Sequence, residues 1–253
     1  MFAITRRELG ALFHSPLAWV IAAVLQVFFA WFFLTTLEDY LAIQDQLLLQ
    51  DHAPGVTSFL TFRYLAPCAG LLLIICPLIG MRSYAEDYRQ GTFILLQAAP
   101  VSALQIVIGK FLAGFLFVAF LIVLAVLMPL SLFPLTRVDF VTLGLSLLGL
   151  LAVAALCTAV AQLFSSLTRH PLVAAIASAT VLLLLWSIGK TALSGQLTQL
   201  IAQTLSTSSH LGSFFQGLLN TGDLVYFGSL TTLALLLTVI RVSGLGWAGS
   251  PGR

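Results

Sequence analysis

Residues 82–105 read RSYAEDYRQGTFILLQAAPVSALQ, and the fold turns on this run. Arg82, Glu86, Asp87 and Arg89 place four charges within eight residues, between two long segments of nearly pure hydrocarbon. The apolar run ending at Met81 begins at Phe59, and the next extends from Ala103 to Leu130. A helix rises 1.5 Å per residue, so about 20 apolar residues cross about 30 Å of hydrocarbon. Both runs reach that length, and the polar stretch is expected to be a loop joining two membrane spans.

The rest of the chain agrees. It has 253 residues, 60% hydrophobic and only 8% charged, and its mean hydropathy is +1.07. Soluble domains carry roughly 25% charged residues, so the solvent here is lipid. Four more apolar runs, Pro16–Leu37, Phe140–Phe164, Pro171–Ile188 and Leu224–Val242, bring the expected spans to six. The runs are continuous and rich in Leu and Ala, without the strict alternation that a membrane β-barrel needs. The expected fold is an all-α integral membrane protein, a single transmembrane domain over residues 1–253.

Helix starts are marked. Ser15-Pro16 and His170-Pro171 put proline at a first helical position. Ser102 with Gln105 fits a capping box, and Asp139 and Asp223 precede the fourth and sixth spans, where a carboxylate suits free N–H groups. Residues 1–15 (MFAITRRELGALFHS) read as an amphipathic helix lying in the membrane interface. Residues 191–223 are too polar to span and too apolar for a free loop, and suggest short helices at, or dipping into, the outer surface.

Orientation follows from Lys and Arg. With six spans both termini share a side, which would hold Arg6, Arg7, Arg82, Arg89, Lys110, Arg169, Arg241 and Arg253, against Arg63, Arg137 and Lys190 opposite. Eight against three predicts both termini inside. Segment 82–102 then forms the main cytoplasmic structure together with the N-terminal helix. Arg63 and Lys110 lie near span ends and are expected to snorkel.

Several chemistries are missing. Gly189-Lys190-Thr191 ends like a phosphate-binding loop, but Leu184 replaces the first glycine and the site falls on the outer face. His14, His52, His170 and His210 are scattered, so neither a metalloprotease nor a membrane serine protease is expected. Cys68, Cys76 and Cys157 lie within apolar runs and read as buried small residues. No carboxylate or histidine relay sits in mid-span, which argues against an ion-coupled carrier. A net charge of +2 gives no nucleic-acid surface. Neither cofactor nor metal is expected in this chain, and no enzyme activity of its own.

The motifs do resemble a family. RREL with a Ser-Pro turn, MRSYAEDYRQGTFILLQAAPVS, I-x-x-G-K-F from Ile106, SSLTR from Ser165 and HLGSFFQGLLNTGDLVYF from His210 resemble the ABC-2-type permeases, which have the type V exporter fold. The likeness is strongest to the gliding-motility and nitrous-oxide-reductase-maturation branch. One departure is Phe93-Ile94, where the family often carries Leu-Glu. The resemblance implies a permease subunit in the inner membrane, paired with a second copy or a sister permease and resting on cytoplasmic ATPases that bind ATP and Mg. An accessory protein on the outer face or in the membrane is a further implied partner. Segment 82–102 would be a coupling-helix hairpin that contacts the ATPase through Glu86, Asp87, Arg89, Gly91 and Thr92. Ala174, Ser178 and Ala179 would sit at a dimer and translocation seam, on an apolar path suited to an amphipathic envelope substrate. The rival expectation from another class is a membrane scaffold for an envelope complex, binding through residues 191–223.

Overall fold

The computed structural model describes residues 2–47, 56–91, 102–132, 139–190 and 204–248. His52, Thr92, Phe93, Ile94, Arg137, Arg253 and residues 191–203, named above, lie outside the described residues. Among the described residues every regular element is helical. The order is α1 (Phe2–His14), α2 (Pro16–Leu47), α3 (Val56–Gly80), α4 (Arg82–Gln90), α5 (Ala103–Leu130), α6 (Phe140–Leu167), α7 (Pro171–Ser187), a 3-10 turn Ile188–Lys190, α8 (Thr207–Phe215) and α9 (Thr221–Ala248).

Small side chains select the central helix. Between Gly149 and Ala161, α6 carries five alanines, Cys157 and Thr158, and this stretch is largely buried. Such residues let neighbouring backbones come close, and α3, α4, α5, α7, α8 and α9 all pack against α6. α3 contributes a complementary stripe at helical spacing, namely Leu65, Cys68, Ala69, Leu72, Leu73 and Cys76. Two helix-to-helix contacts are tight enough to require glycine. An added Cβ at Gly80 would lie 2.7 Å from the Ala161 Cβ, and one at Gly149 would lie 2.8 Å from the Phe214 Cβ. Gly149→Val is therefore expected to cost about 1–3 kcal/mol by overpacking, read as a lower midpoint in thermal unfolding of the detergent-purified protein.

The outside of the bundle is as apolar as its inside. Val27 is 69% exposed, Val225 68% and Ile240 66%; contiguous surface of this kind belongs against lipid rather than water. Among the described residues, five helices can cross a membrane by length and composition: Pro16–Ile43, Thr61–Gln90, Ala103–Leu130, Phe140–Leu167 and Thr221–Gly244. The expected fifth span, 171–188, differs. Its α-helix has 17 residues, about 26 Å, short of a full hydrocarbon layer. Three further residues in the 3-10 turn add about 6 Å.

Capping largely follows the sequence. Ser102 Oγ accepts from the Gln105 N–H, and Gln105 Oε1 accepts from the Ser102 N–H, both at 3.3 Å. Asp139 accepts from the Val141 and Thr142 N–H groups at the head of α6. The Thr142 hydroxyl and the Val141 N–H hold its carboxyl below the usual carboxylate range. Asp223 departs from expectation. It lies inside the first turn of α9, and Asn220 Oδ1 instead accepts from the Gly222 N–H. Its carboxylate meets His210 Nδ1 at 2.6 Å and accepts from the Ser213 hydroxyl, locking α8 to α9.

The helices run up and down between two ends. At one end lie α1, α4, the start of α5 and the end of α9, joined in a cluster of Tyr84, Ile106, Val107 and Val242. At the other, α8 rests on the end of α7, where Ser208 donates to the Trp186 carbonyl, and on the start of α3, where Thr61 donates to the Phe215 carbonyl.

Candidate coupling site

The joint between α3 and α4 is written into three residues. Pro77 lacks an N–H and weakens the end of α3. Beyond Gly80 the ladder is interrupted by a side chain from α6. Ser165 Oγ accepts from the Tyr84 N–H at 3.0 Å and the Ala85 N–H at 3.1 Å, and donates to the Met81 carbonyl at 2.8 Å. A hydroxyl inserted into a helical ladder is a recognised cause of bending. Ser165 thus anchors the first turn of α4 to the central helix. One turn earlier, Gln162 Nε2 donates to the Tyr84 hydroxyl at 3.1 Å and to the Val107 carbonyl at 3.0 Å. Its Oε1 is buried without a partner, which costs about 1–3 kcal/mol for an unmet acceptor.

Lys110 was expected to snorkel, and it does the opposite. Its side chain is 2% exposed. The ammonium donates to Glu8 at 3.1 Å, to Asp87 at 2.9 Å and to the Ser83 carbonyl at 2.7 Å. Three N–H donors meet three acceptors, the full capacity of a lysine. The acceptors come from α1 and α4, while Lys110 itself belongs to α5. One buried cation therefore ties three helices together, with the Tyr84 ring 5.3 Å away.

The two acidic residues of α4 part company. Asp87 turns inward to Lys110. Glu86 stays at the surface side, accepting from Arg89 at 2.6 Å and from Gln90 at 2.7 Å. The Arg89 hydrogen bond, followed by that of Gln90, holds the Glu86 carboxyl below its usual range. With the folded pKa depressed, this contribution is present above the unfolded pKa and is lost as pH falls through the folded value. α4 stops at Gly91, whose φ of 72° is left-handed, a conformation that glycine adopts without strain. Arg82, Arg89 and Gly91 are exposed; Thr92 lies outside the described residues.

A family described as ABC-2 family transporter protein matches residues 35–247 of the chain. The chain belongs to this family. No curated protein matches it by sequence. Taken with the apolar helices, membership makes the protein a multi-pass membrane permease of an ABC transporter. Members are membrane components without an ATPase site of their own, and they associate with an ABC ATPase, often as dimers.

Within this permease, Ala174 and Ser178 of α7 are buried in the single chain, and the Ser178 hydroxyl bonds back to the Ala174 and Ala175 carbonyls. Ala179 is half-buried. The exposed strip of α7 is formed by Leu172, Val173, Ile176, Leu183 and Leu184. Arg63, at the far end of the bundle, pairs with Asp39 at 3.0 Å. Sequence reasoning missed Ser165, Gln162 and the clasp on Lys110. The available signal for the last was a lone charge within a span.

Ser165→Ala would remove the three hydrogen bonds that its hydroxyl makes at the joint. The permease is expected to lose about 1–3 kcal/mol, and hydrogen exchange at Tyr84 and Ala85 should rise with little change in α6.

Proposed function

We propose that α4 is the coupling helix of the permease, through which ATP hydrolysis by a separate cytoplasmic ATPase moves the transmembrane bundle. The carrying observation is the Lys110 clasp. A rigid push on α4 is passed through Asp87 and Lys110 to α5 and through Glu8 to α1, while Ser165 passes it to α6. Glu86, Arg89, Gly91 and Thr92 form the face offered to the ATPase, and Asp87 works from behind it. ATP and Mg belong to that partner.

Six spans with both termini inside is the topology we infer. The grouping of Arg6, Arg7, Arg82, Arg89, Lys110, Arg169 and Arg241 toward the α1–α4 end favours it, as does the length of α7 with its 3-10 turn. The compartment is then the inner membrane. A second permease, identical or sister, would pair along the exposed strip of α7 near Ala179, leaving Ala174 and Ser178 to support that helix from within. The apolar seam suits export of, or mechanical work on, an amphipathic envelope component, in the manner of the gliding-motility and nitrous-oxide-reductase-maturation branch.

The direct test is purification of the tagged chain from its native membranes in mild detergent. An ATPase bearing Walker motifs should co-purify in stoichiometric amount, with hydrolysis that changes when the permease is removed. A chain that purifies alone, and works when partner ATP binding is abolished, would return the scaffold reading.

A further inference from the structure

At the end of the bundle opposite α4, both ring nitrogens of His210 face acceptors. Nδ1 lies 2.6 Å from Asp223 Oδ1, and Nε2 lies 3.1 Å from the Thr204 carbonyl. A carbonyl can only accept, so Nε2 must carry a proton. A second proton must then lie between Nδ1 and Oδ1, whichever atom holds it, because an ionised carboxylate and a bare ring nitrogen have no hydrogen to share. The pair therefore holds one proton more than a neutral imidazole beside an ionised carboxylate.

The surroundings favour that proton. Asp223 is 4% exposed, and a buried carboxylate is costly unless a cation or a proton answers it. The Tyr226 ring stacks on the imidazole with centroids 4.2 Å apart, a position that suits a cation. The Tyr226 hydroxyl donates to the Leu205 carbonyl at 2.7 Å. Two successive carbonyls, of Thr204 and Leu205, are thus held by two stacked rings. Of the elements packed on α8, only α9 brings acidic or basic groups to the imidazole, namely Asp223 and Tyr226. α7 has no charged residue, α6 has none beyond its cap Asp139, Arg63 of α3 is paired with Asp39, and the 3-10 turn ends at Lys190.

We infer that His210 and Asp223 form a proton-operated latch that fastens the Thr204–Leu205 backbone to α8 and α9. Loss of the extra proton leaves Nδ1–H on the carboxylate, which is the charge-assisted bond, and turns a bare Nε2 toward the Thr204 carbonyl. Two acceptors then face each other and that contact opens. The latched state binds one proton more than the released one, so it is populated at low pH and drained as pH rises. The latch stands on this cluster alone and does not depend on the coupling role of α4; the topology inferred above decides only that the proton comes from the outer side.

The test is hydrogen exchange of residues 204–212 in the full chain in detergent, read from about pH 5 to about pH 8, where histidine changes charge, and corrected for the intrinsic rate at each pH. Release frees the first turn of α8, so protection should fall by about tenfold across the range, the effect of one hydrogen bond to a charged group. His210→Phe keeps a ring on Tyr226 but has no proton to give, and its protection should sit at the high-pH level throughout. Asp223→Asn should do the reverse. Its amide can donate to Nδ1, so a neutral ring makes both bonds, and protection should stay high at every pH. A purely structural role for the pair would instead lower protection in both variants. Thermal unfolding checks that the variants remain folded, and if His210→Phe does not, Asp223→Asn against the parent still decides. Parent protection that is indifferent to pH, a pH dependence that persists in His210→Phe, or an Asp223→Asn chain that loses protection as the parent does would each overturn the inference.

Discussion

Replacing Lys110 by Met should destabilise the permease by about 3 kcal/mol and disconnect ATP hydrolysis from transport. Removing one partner of a buried ion pair costs about 3–5 kcal/mol because the other charge is stranded. The lower end applies here, since the Glu8 and Asp87 side chains are 21% and 20% exposed and water screens them in part. The triple variant Lys110→Met, Glu8→Gln, Asp87→Asn removes all three charges together. Its stability should return to within about 1 kcal/mol of the parent, because an uncharged replacement leaves no buried ion. Its coupling should not return, since the charged link from α1 and α4 to α5 is then gone. Stability is read by unfolding in mixed micelles, and coupling by the ratio of substrate moved to ATP consumed. A single variant as stable as the parent would remove the clasp from the account.

Glu86→Lys should abolish ATP-driven work while the chain still inserts and folds. Within α4 the change removes only exposed hydrogen bonds from Arg89 and Gln90, and such helical pairs are worth about 0.2–0.5 kcal/mol. At an interface with the ATPase the same reversal sets like charges against each other, at a cost of several kcal/mol. Each 1.4 kcal/mol is about tenfold in affinity, so ATPase association should weaken by about tenfold to a thousandfold. High salt should narrow the difference between variant and parent, because exposed charges are screened. Equal affinity for both would move the docking face elsewhere.

The physics explains which parts of the molecule were legible. Apolar length sets the spans, so α2, α3, α5, α6 and α9 could be placed from composition and the 1.5 Å rise alone. Local hydrogen-bonding chemistry likewise marked the Ser102–Gln105 box and the Asp139 cap, because cap and helix adjoin in sequence. Contacts between distant segments were not readable. Lys110 looks like a snorkelling lysine because its partner Glu8 lies 102 positions away, and periodicity carries no information about which helices are neighbours. Ser165 falls just past the expected fourth span, and the sequence gives no sign of its partners; the packing of Gly80 on Ala161 accompanies its placement under α4. Asp223 was misjudged because a carboxylate near a helix start has more than one local use; the nearby His210 and Ser213 claimed it. The small residues of α7 were legible as close-packing positions, though not as to which neighbour Ala174 and Ser178 pack against.

Entry of motion through α4 is tested most directly by a photoreactive amino acid placed at Arg89, whose side chain is 61% exposed. In the purified complex it should cross-link to the ATPase, with a yield that changes between the ATP-bound and nucleotide-free states. The same probe at Ser213, at the opposite end of the bundle, should give no such product. A cross-link from Ser213 and none from Arg89 would contradict the account.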